Sequence, residues 1–178
     1  MDFAERVTRT QFLGPEFITW LWHQEEVNGG HFNLGPALGE VELSFEDKLV
    51  MGTTALDEQT DSFKGGRPTM SLEARSALKV GKLAQSAALR LVQGDQEWRF
   101  TLKAEPLMMS AIKLPEVLAD DAEASFQERM FLLENLDRLY RGLFKLFLNE
   151  RLAPTWATER LPEIQAWAAQ GRAQRSEG

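Results

Sequence analysis

The sequence contains no cysteine among its 178 residues, and only two histidines and one tyrosine. The absence of cysteine excludes disulfides, thiolate metal sites and a cysteine nucleophile, and it is typical of proteins in a reducing cytoplasm. There is no run of 18 apolar residues, so no membrane span is predicted. The N-terminus MDFAERVTRTQ lacks the apolar core of a signal peptide. We therefore expect a cytoplasmic location without a membrane partner.

Motifs of catalytic chemistry are absent as well. The sequence has no GxxxxGK[ST] phosphate loop, no GxGxxG and no HExxH, and no Ser or Thr in a nucleophile elbow. His23, Glu25 and Glu26 have the wrong spacing for a helical metal site, so we interpret them as a solvated helix face. This pattern favours a protein that is not an enzyme and that needs no cofactor or metal.

Paired aspartates leave one catalytic alternative open, a Mg²⁺-dependent nuclease. The pairs are Asp57 with Asp61, and Asp120 with Asp121. Paired acids are also common at turns and at helix N-termini, where they need no metal. The nuclease is therefore the least favoured interpretation, and cleavage of DNA with Mg²⁺ would be its test.

Charge is distributed very unevenly along this acidic chain, whose formal net charge is −7. Residues 1–62 hold 3 basic and 12 acidic side chains, and residues 114–178 hold 8 and 11. Residues 63–113, which we call the basic island, hold 9 basic and 4 acidic side chains. Because the charges are segregated, the electrostatic potential is positive over one region and negative over others. A locally positive surface can bind phosphate even on an acidic protein.

Apolar periodicity predicts an α+β fold, an antiparallel sheet covered by helices with a long C-terminal helix. Alternation predicts strands within 38–63 and 82–113, with a tight turn at Glu46-Asp47. Helical spacing predicts helices at 15–28, 70–80, 122–151 and 162–170. The length suits a single domain over 1–178, with polar and flexible ends at 1–11 and 171–178.

The positions of apolar residues within each predicted strand and helix indicate which side chains face the core. Trp98, Phe100 and Leu102 are expected inside, and the residues between them outside. Trp20 and Trp22 lie about 200° apart on a helical wheel, so their helix is either sandwiched between layers or carries one Trp to a partner. In the helix at 70–80 we expect Leu72, Ala77 and Val80 to pack.

Eight cations of the basic island are candidates for binding a nucleic-acid backbone, because such contacts require only positive charge at phosphate spacing. An alternative is that they are a solvated sheet face that pairs with Glu58, Glu73, Glu97 and Glu105. On charge alone the second interpretation is favoured. The candidates are Lys64, Arg67, Arg75, Lys79, Lys82, Arg90, Arg99 and Lys103.

The run SLEARSALKVGKLAQSAALRLVQGDQEWRFTLKAEPLMMSAIKLPE, within the basic island and just beyond it, resembles the C-terminal half of the recombination-associated protein RdgC family. The shared pattern includes a basic loop before a helix, the turn Gly81-Lys82 and a following strand and hairpin. An acidic segment at Asp120-Asp121 and a terminal helix with Phe126, Met130 and Leu136 continue the likeness. The opening FLGPEFITWLWHQEE is also similar to a segment of longer relatives.

The resemblance implies a non-enzymatic, nucleoid-associated protein that binds double-stranded DNA without sequence preference in recombination or replication control. Members of that family form ring-shaped homodimers with a positively charged hole and restrain a recombinase, RecA. By position, Lys64 and Arg67 match the basic loop, and Lys82 matches the Gly-Lys turn. The family's usual N-terminal region has no counterpart here, which puts a complete ring in doubt.

A rival hypothesis from another class is a protein-interaction module without a nucleic-acid role. Its surface would be the apolar helix 122–151, together with an acidic N-terminal third that attracts a basic partner. The apolar residues of this helix cover most of its circumference, so it is either buried on several sides or a subunit interface. The predicted interface residues are Trp22, Leu139, Leu143 and Phe147.

Overall fold

A computed structural model describes residues 13–53 and 60–170, in which six strands form one antiparallel sheet accompanied by four α-helices. The predicted α+β class is confirmed. The flexible ends expected at 1–11 and 171–178 lie outside the described residues. The helices are α1 (Leu13–Asn28), α2 (Leu72–Lys79), α3 (Ala122–Arg151) and α4 (Leu161–Ala169). The strands are β1 (His31–Asn33), β2 (Glu40–Gly52), β3 (Thr60–Lys64), β4 (Leu83–Gln93), β5 (Gln96–Lys103) and β6 (Met108–Lys113).

The long strand β2 organises one edge of the sheet. β1 and β3 both pair with it, β1 along its first residues and β3 along its last. On the other side of β2 the order is β4, β5, β6, and every pair is antiparallel. The predicted turn at Glu46-Asp47 is wrong. The chain continues through these residues as one strand, and a register shift between Phe45 and Leu49 absorbs the irregularity.

Alternation in β2, β4 and β5, interrupted only near the register shifts between β2 and β4, creates one apolar face. Leu43, Leu91 and Trp98 lie opposite one another on these three neighbouring strands, and all three are fully buried. The Trp98 indole Nε1 donates to the carbonyl of Leu132 in α3 at 3.1 Å, so its polar atom is satisfied inside the core. We call this side, on which the helices pack, the covered face.

Helix α1 is the element on which the other helices pack. Residues 14–23 are buried except Glu16, which is half-buried, as is typical of a helix between two layers. Trp20 packs against Phe147 of α3, with ring centroids 5.7 Å apart, and Trp22 meets Trp167 of α4 at 5.3 Å. The sandwiched alternative for this tryptophan pair is therefore confirmed. Gly14 allows close packing, because a Cβ there would lie 2.1 Å from the carbonyl oxygen of Ala104.

Two other expectations for α1 and α2 are wrong. His23 is buried rather than solvated, because its ring packs edge-on against Trp167 at 5.1 Å. In α2 the buried residues are Ala74, Ala77 and Leu78, whereas Leu72 and Val80 are exposed. The small residues Ala74 and Ala77 allow α2 to approach its neighbours closely. The helix therefore packs through them, and the larger Leu72 and Val80 face outward.

Helix α3 runs for 30 residues, as its unbroken pattern predicts. Asp121 caps it, and its side chain accepts from the Ala124 N–H at 2.9 Å. The first buried residue of the helix is Leu132, and burial then recurs on one stripe as far as Phe147. The helix therefore has a packed C-terminal part and an exposed N-terminal part.

Candidate nucleic-acid interface

The face of the sheet opposite the helices carries polar and charged side chains that are exposed or half-buried. Ser44, Arg90, Arg99 and Lys113 form one row across β2, β4, β5 and β6. Their strand neighbours point to the covered face, because side chains alternate along a strand. We call this surface the open face. Four of the eight predicted DNA-binding residues belong to it, and they are Lys64, Arg90, Arg99 and Lys103.

Acidic neighbours neutralise the two arginines in the middle of the open face. The Glu97 carboxylate accepts from Arg90 Nε at 2.8 Å and from Arg99 Nε at 2.8 Å. Arg99 also lies 3.4 Å from the Glu46 carboxylate. Hydrogen bonds from Arg90 and then Arg99 lower the pKa of Glu97, so this carboxyl stays ionised and keeps both arginines paired. For these two arginines the solvated ion-pair interpretation is the better description.

A different part of the open face carries lysines whose charge is not neutralised. Lys48 and Lys64 are directly opposite each other on β2 and β3. Lys103 on β5 is opposite Ser86, which in turn is opposite Val50, two residues along β2 from Lys48. All three are exposed, and among residues 13–53 and 60–170 none makes an ion pair. We call Lys48, Lys64 and Lys103 the lysine group.

The geometry of the sheet spaces the lysine group suitably for phosphates. Adjacent strands are about 4.8 Å apart and alternate residues on one face are about 6.6 Å apart. Lys48 and Lys103, separated by two strands and two residues, are therefore about 12 Å apart at their Cα atoms. Ser62 on β3 and Ser86 on β4 lie in the same row across the sheet as Lys103, and they add neutral hydrogen-bonding groups. Long lysine side chains on such a surface can reach several phosphates of one duplex.

Arg75 is not on the open face, and it is not available to a ligand. Its guanidinium stands 4.6 Å from the ring centroid of Trp167 and 5.7 Å from that of Trp22. It also pairs with the Glu26 carboxylate and donates to the Trp167 carbonyl at 3.0 Å. Its side chain is only 14% exposed. Arg75 therefore joins α2 to α1 and α4, and its predicted role in binding DNA is corrected to a structural one.

Glu26 completes this cluster, because it accepts from three donors. The indole Nε1 of Trp22 donates to one carboxylate oxygen at 2.8 Å, and the Nε1 of Trp167 donates to the other at 3.1 Å. Arg75 is the third donor. A charge-assisted network of this kind is stabilising only when each member has its partner, which it has here. The sequence signal for it is the like-charged pair Arg75 and Lys79, four residues apart on α2, because such a pair is destabilising unless an acid lies nearby.

The other three candidate cations lie apart from the lysine group. Lys82 donates to Asp61 at 2.7 Å, and its side chain is 17% exposed. It borders a groove of about 820 Å³ between β3 and α2. Arg67 is exposed, and its charge acts on Glu25 of α1, which places it towards the helices. Lys79, also exposed, ends α2. The eight cations therefore do not converge on one surface.

The predicted subunit interface is corrected by burial. Trp22, Leu139, Leu143 and Phe147 are each at most 1% exposed, inside the core of a single copy. The ring of Phe147, for example, packs against the rings of Phe17, Trp20 and Trp156. A periodic pattern does not distinguish an apolar helix face that packs within the chain from one that packs on a partner.

Two cations of the open face were not selected from the sequence. Lys113 was counted in the basic island without a role, and Lys48 lies outside the island. The sequence signal for Lys48 was the alternation of side chains along β2. Leu49 and Met51 are buried on the covered face, so Lys48, which precedes them, lies on the open face. The turn predicted at Glu46-Asp47 concealed that β2 continues beside β3.

Other kinds of site have little support in the described part of the chain. Between residues 13 and 170, with 54–59 excepted, no group of three or more His, Asp or Glu side chains is placed to hold a metal ion. The helices in these same ranges also include none that is both long and apolar enough to cross a bilayer.

In comparisons with known proteins, no family model matches the chain and no curated protein matches it. The likeness to the RdgC family therefore stays a prediction.

Proposed function

We propose that this protein binds double-stranded DNA through the lysine group on the open face of its sheet, without sequence preference and without catalysis. The observation that carries the proposal is the exposure of Lys48, Lys64 and Lys103 on one face without acidic partners in the described residues. Lysine contacts to phosphate are independent of base sequence, so they provide affinity rather than specificity.

The resemblance of the basic island to the RdgC family is the second support. That family's activity is the one proposed here, in recombination or replication control, with a recombinase as a further partner. The site differs from the one that the resemblance implies. It replaces Lys82 and Arg67 by Lys48 and Lys103, since Lys82 is paired with Asp61 and Arg67 lies towards the helices.

The test measures binding of unrelated fluorescent duplexes by anisotropy over a series of salt concentrations. We expect similar affinity for every sequence and a steep loss of affinity with salt. The triple variant Lys48→Gln, Lys64→Gln, Lys103→Gln should flatten the salt dependence, by about 0.9 log units of slope for each phosphate contact that is lost. Because all three side chains are exposed, the variant should remain folded.

A matched control removes the same charge from another surface, with Lys79→Gln, Arg138→Gln and Lys145→Gln. These residues are exposed and lie on α2 and α3, away from the open face. The control should keep nearly the whole salt slope. The proposal is wrong if the wild-type protein does not bind duplex at low salt, or if both triple variants lose affinity equally.

A further inference from the structure

The outer edge of β3 presents backbone hydrogen-bonding groups to solvent. Among residues 13–53 and 60–170, β2 is the only strand that pairs with β3. The Gly65 N–H donates to the Asp47 carbonyl at 2.9 Å, where the antiparallel register of the two strands continues. Because bonded and non-bonded residues alternate along an antiparallel pair, Phe63 also bonds to β2. Ser62 and Lys64 therefore direct their N–H and C=O groups away from the sheet, and both residues are exposed.

The edge at β3 is the most regular of the described edges of the sheet. Its register with β2 runs without a shift over all five residues, from Thr60 to Lys64. By contrast, β1 has only three residues, and β6 contains a register shift near Ala111, whose φ is 50°. Such irregularities hinder the addition of another strand, and a very short edge offers few bonds. The edge at β3 is therefore the one suited to pairing with a further strand.

The groove of about 820 Å³ between β3 and α2 follows this edge. Its lining includes Ser62 and Phe63, successive residues whose side chains point to opposite faces of the sheet. The groove therefore runs along the backbone edge of β3 rather than over one face. The other wall includes Leu72, Ser76 and Val80, which are four residues apart and lie on one side of α2 and its C-terminal cap.

The wall formed by α2 is apolar and exposed. Leu72 is 63% exposed and Val80 is 74% exposed, and the half-buried Phe63 lies across the groove from them. A helical rise of 1.5 Å per residue separates Leu72 from Val80 by about 12 Å. The strand from Thr60 to Lys64 is about 13 Å long. The two walls therefore match in length, and an extended segment of about five residues fits between them.

Charges around the groove indicate which side chains such a segment carries. Residues that are opposite each other on neighbouring strands project to the same face. An acidic side chain opposite Lys64 would gain a partner on the open face, where Lys48 adds a second positive charge. On the side of α2, the exposed Glu73 repels an acid, and Lys82 is already paired with Asp61 at 2.7 Å. Acids are therefore favoured towards the open face, and apolar side chains towards α2.

We propose that this groove binds an extended segment of a partner protein, which adds to the edge of β3 as a further strand with alternating apolar and acidic side chains. The backbone of the segment bonds to Ser62 and Lys64, and its apolar side chains pack against Phe63, Leu72 and Val80. Hydrogen bonds between the main chains provide affinity, and the alternate side chains provide specificity. The inference does not depend on DNA binding, and Leu72 and Val80 allow the two functions to be tested separately.

The first test uses a fluorescent peptide of alternating valine and aspartate with blocked ends, and anisotropy measures its binding to the protein. We expect saturable binding. A control peptide of the same composition, with the valines and the aspartates in two blocks, cannot place its apolar side chains together against α2. It should bind about tenfold more weakly, because less apolar surface is buried.

Methylation of the peptide amides tests whether the peptide is paired as a strand. In a strand that pairs along one edge, every second N–H points to the neighbouring strand and the others point to solvent. One peptide is methylated at all its valine amides and another at all its aspartate amides. One of the two modifications should prevent binding, and the other should leave it nearly unchanged. If both weaken binding equally, the peptide is not paired along the edge and the proposal is overturned.

Variants of the protein test both walls of the groove, with circular dichroism as the check of folding. The double variant Leu72→Gln, Val80→Gln should lower peptide affinity about tenfold and leave duplex binding unchanged. The matched control Leu118→Gln, Leu152→Gln, at two residues that are each 77% exposed elsewhere, should bind the peptide as wild type does.

On the other wall, Ser62→Pro removes an outward N–H where an edge strand tolerates proline, and it should prevent peptide binding. The proposal is overturned if the wild-type protein does not bind the alternating peptide. It is also overturned if the double variant Leu72→Gln, Val80→Gln binds this peptide as tightly as wild type.

Discussion

The two faces of the sheet use the same strands and hold opposite kinds of residue. On β5, Trp98 is fully buried on the covered face, and the next residue, Arg99, has a side chain that is 48% exposed on the open face. The covered face joins the strands to α1 and α3 through apolar packing. On the open face, by contrast, no described helix covers the charged side chains. The charges around Glu97 are paired, and those of the lysine group are unpaired.

This contrast separates stability from function. Apolar residues that face the helices contribute most of the free energy of folding, because buried surface is the dominant favourable term. Exposed charges contribute little to folding and determine instead what the surface attracts. Substitutions at neighbouring positions of one strand should therefore affect different measurements.

The largest expected effect is on the covered face. Trp98→Ala removes a fully buried indole and its bond to the Leu132 carbonyl, so it should lower the free energy of unfolding by about 3–5 kcal/mol. Urea denaturation would measure this loss. The adjacent substitution Arg99→Ala should leave the midpoint nearly unchanged, and an equal loss at both positions would contradict the division between faces.

A smaller loss is expected at Arg75, a charged residue on the side of the helices. Arg75→Leu removes the partner of Glu26 and the stacking on Trp167, so stability should fall by about 2 kcal/mol. Arg75→Lys should recover only part of this loss, because lysine lacks the planar group. Lys79→Leu, one turn farther along α2 and exposed, is the control that should change urea stability little.

A pH-dependent effect should originate at His23. Burial lowers the pKa of His23 below its ordinary value of 6.5, even though Glu163 lies 4.0 Å from the ring. The folded state therefore takes up the proton less readily than the unfolded state. The stabilisation is fully present above pH 6.5, and it is lost as the pH falls below that value.

The check is urea stability at pH 7 and at a mildly acidic pH. His23→Gln should reduce the difference between the two conditions, and His31→Gln, at the other histidine, should preserve it. Burial raises the pKa of Glu25, which acts in the opposite direction, so the comparison is made between variants rather than from the wild-type curve alone. If both histidine variants keep the same pH dependence, His23 is not its source.

The smallest change in stability is expected at Glu97, where an effect on binding should appear instead. Glu97→Gln removes the carboxylate that pairs with Arg90 and Arg99 on the open face. Pairs this exposed contribute little to folding. The two arginines then add positive charge near the lysine group, so duplex affinity at low salt should rise. If binding in the anisotropy assay is unchanged or weaker, the proposal that DNA binds to the open face is contradicted.

Much of the fold was predictable from local patterns. Alternation in EWRFTLK identified both faces of β5, and the unbroken helical pattern placed α3 within one residue of its observed ends. The turn predicted at Glu46-Asp47 failed because two charged residues in a strand resemble a turn locally. Pairing with β4 on both sides of the irregularity keeps β2 continuous, and that pairing is not local.

The candidate site was less predictable. Arg75 and Arg99 look alike in the sequence, since both are cations of the basic island. Arg75 is enclosed by Trp22 and Trp167, which lie far away in the sequence, and Arg99 projects from an open sheet. Lys48 joins Lys64 and Lys103 only through strand pairing, so no feature of the basic island indicated it.

By itself, the sequence determined which side chains alternate and where the helices run, because periods of 2 and 3.6 residues follow from the backbone of each element. It also determined the charge of each segment and the absence of cysteine chemistry. Only the tertiary structure decided which cations share the open face, and which apolar part of α3 remains exposed. Those properties depend on strand register and on helix packing, which bring together residues whose separation along the chain carries no signal of contact.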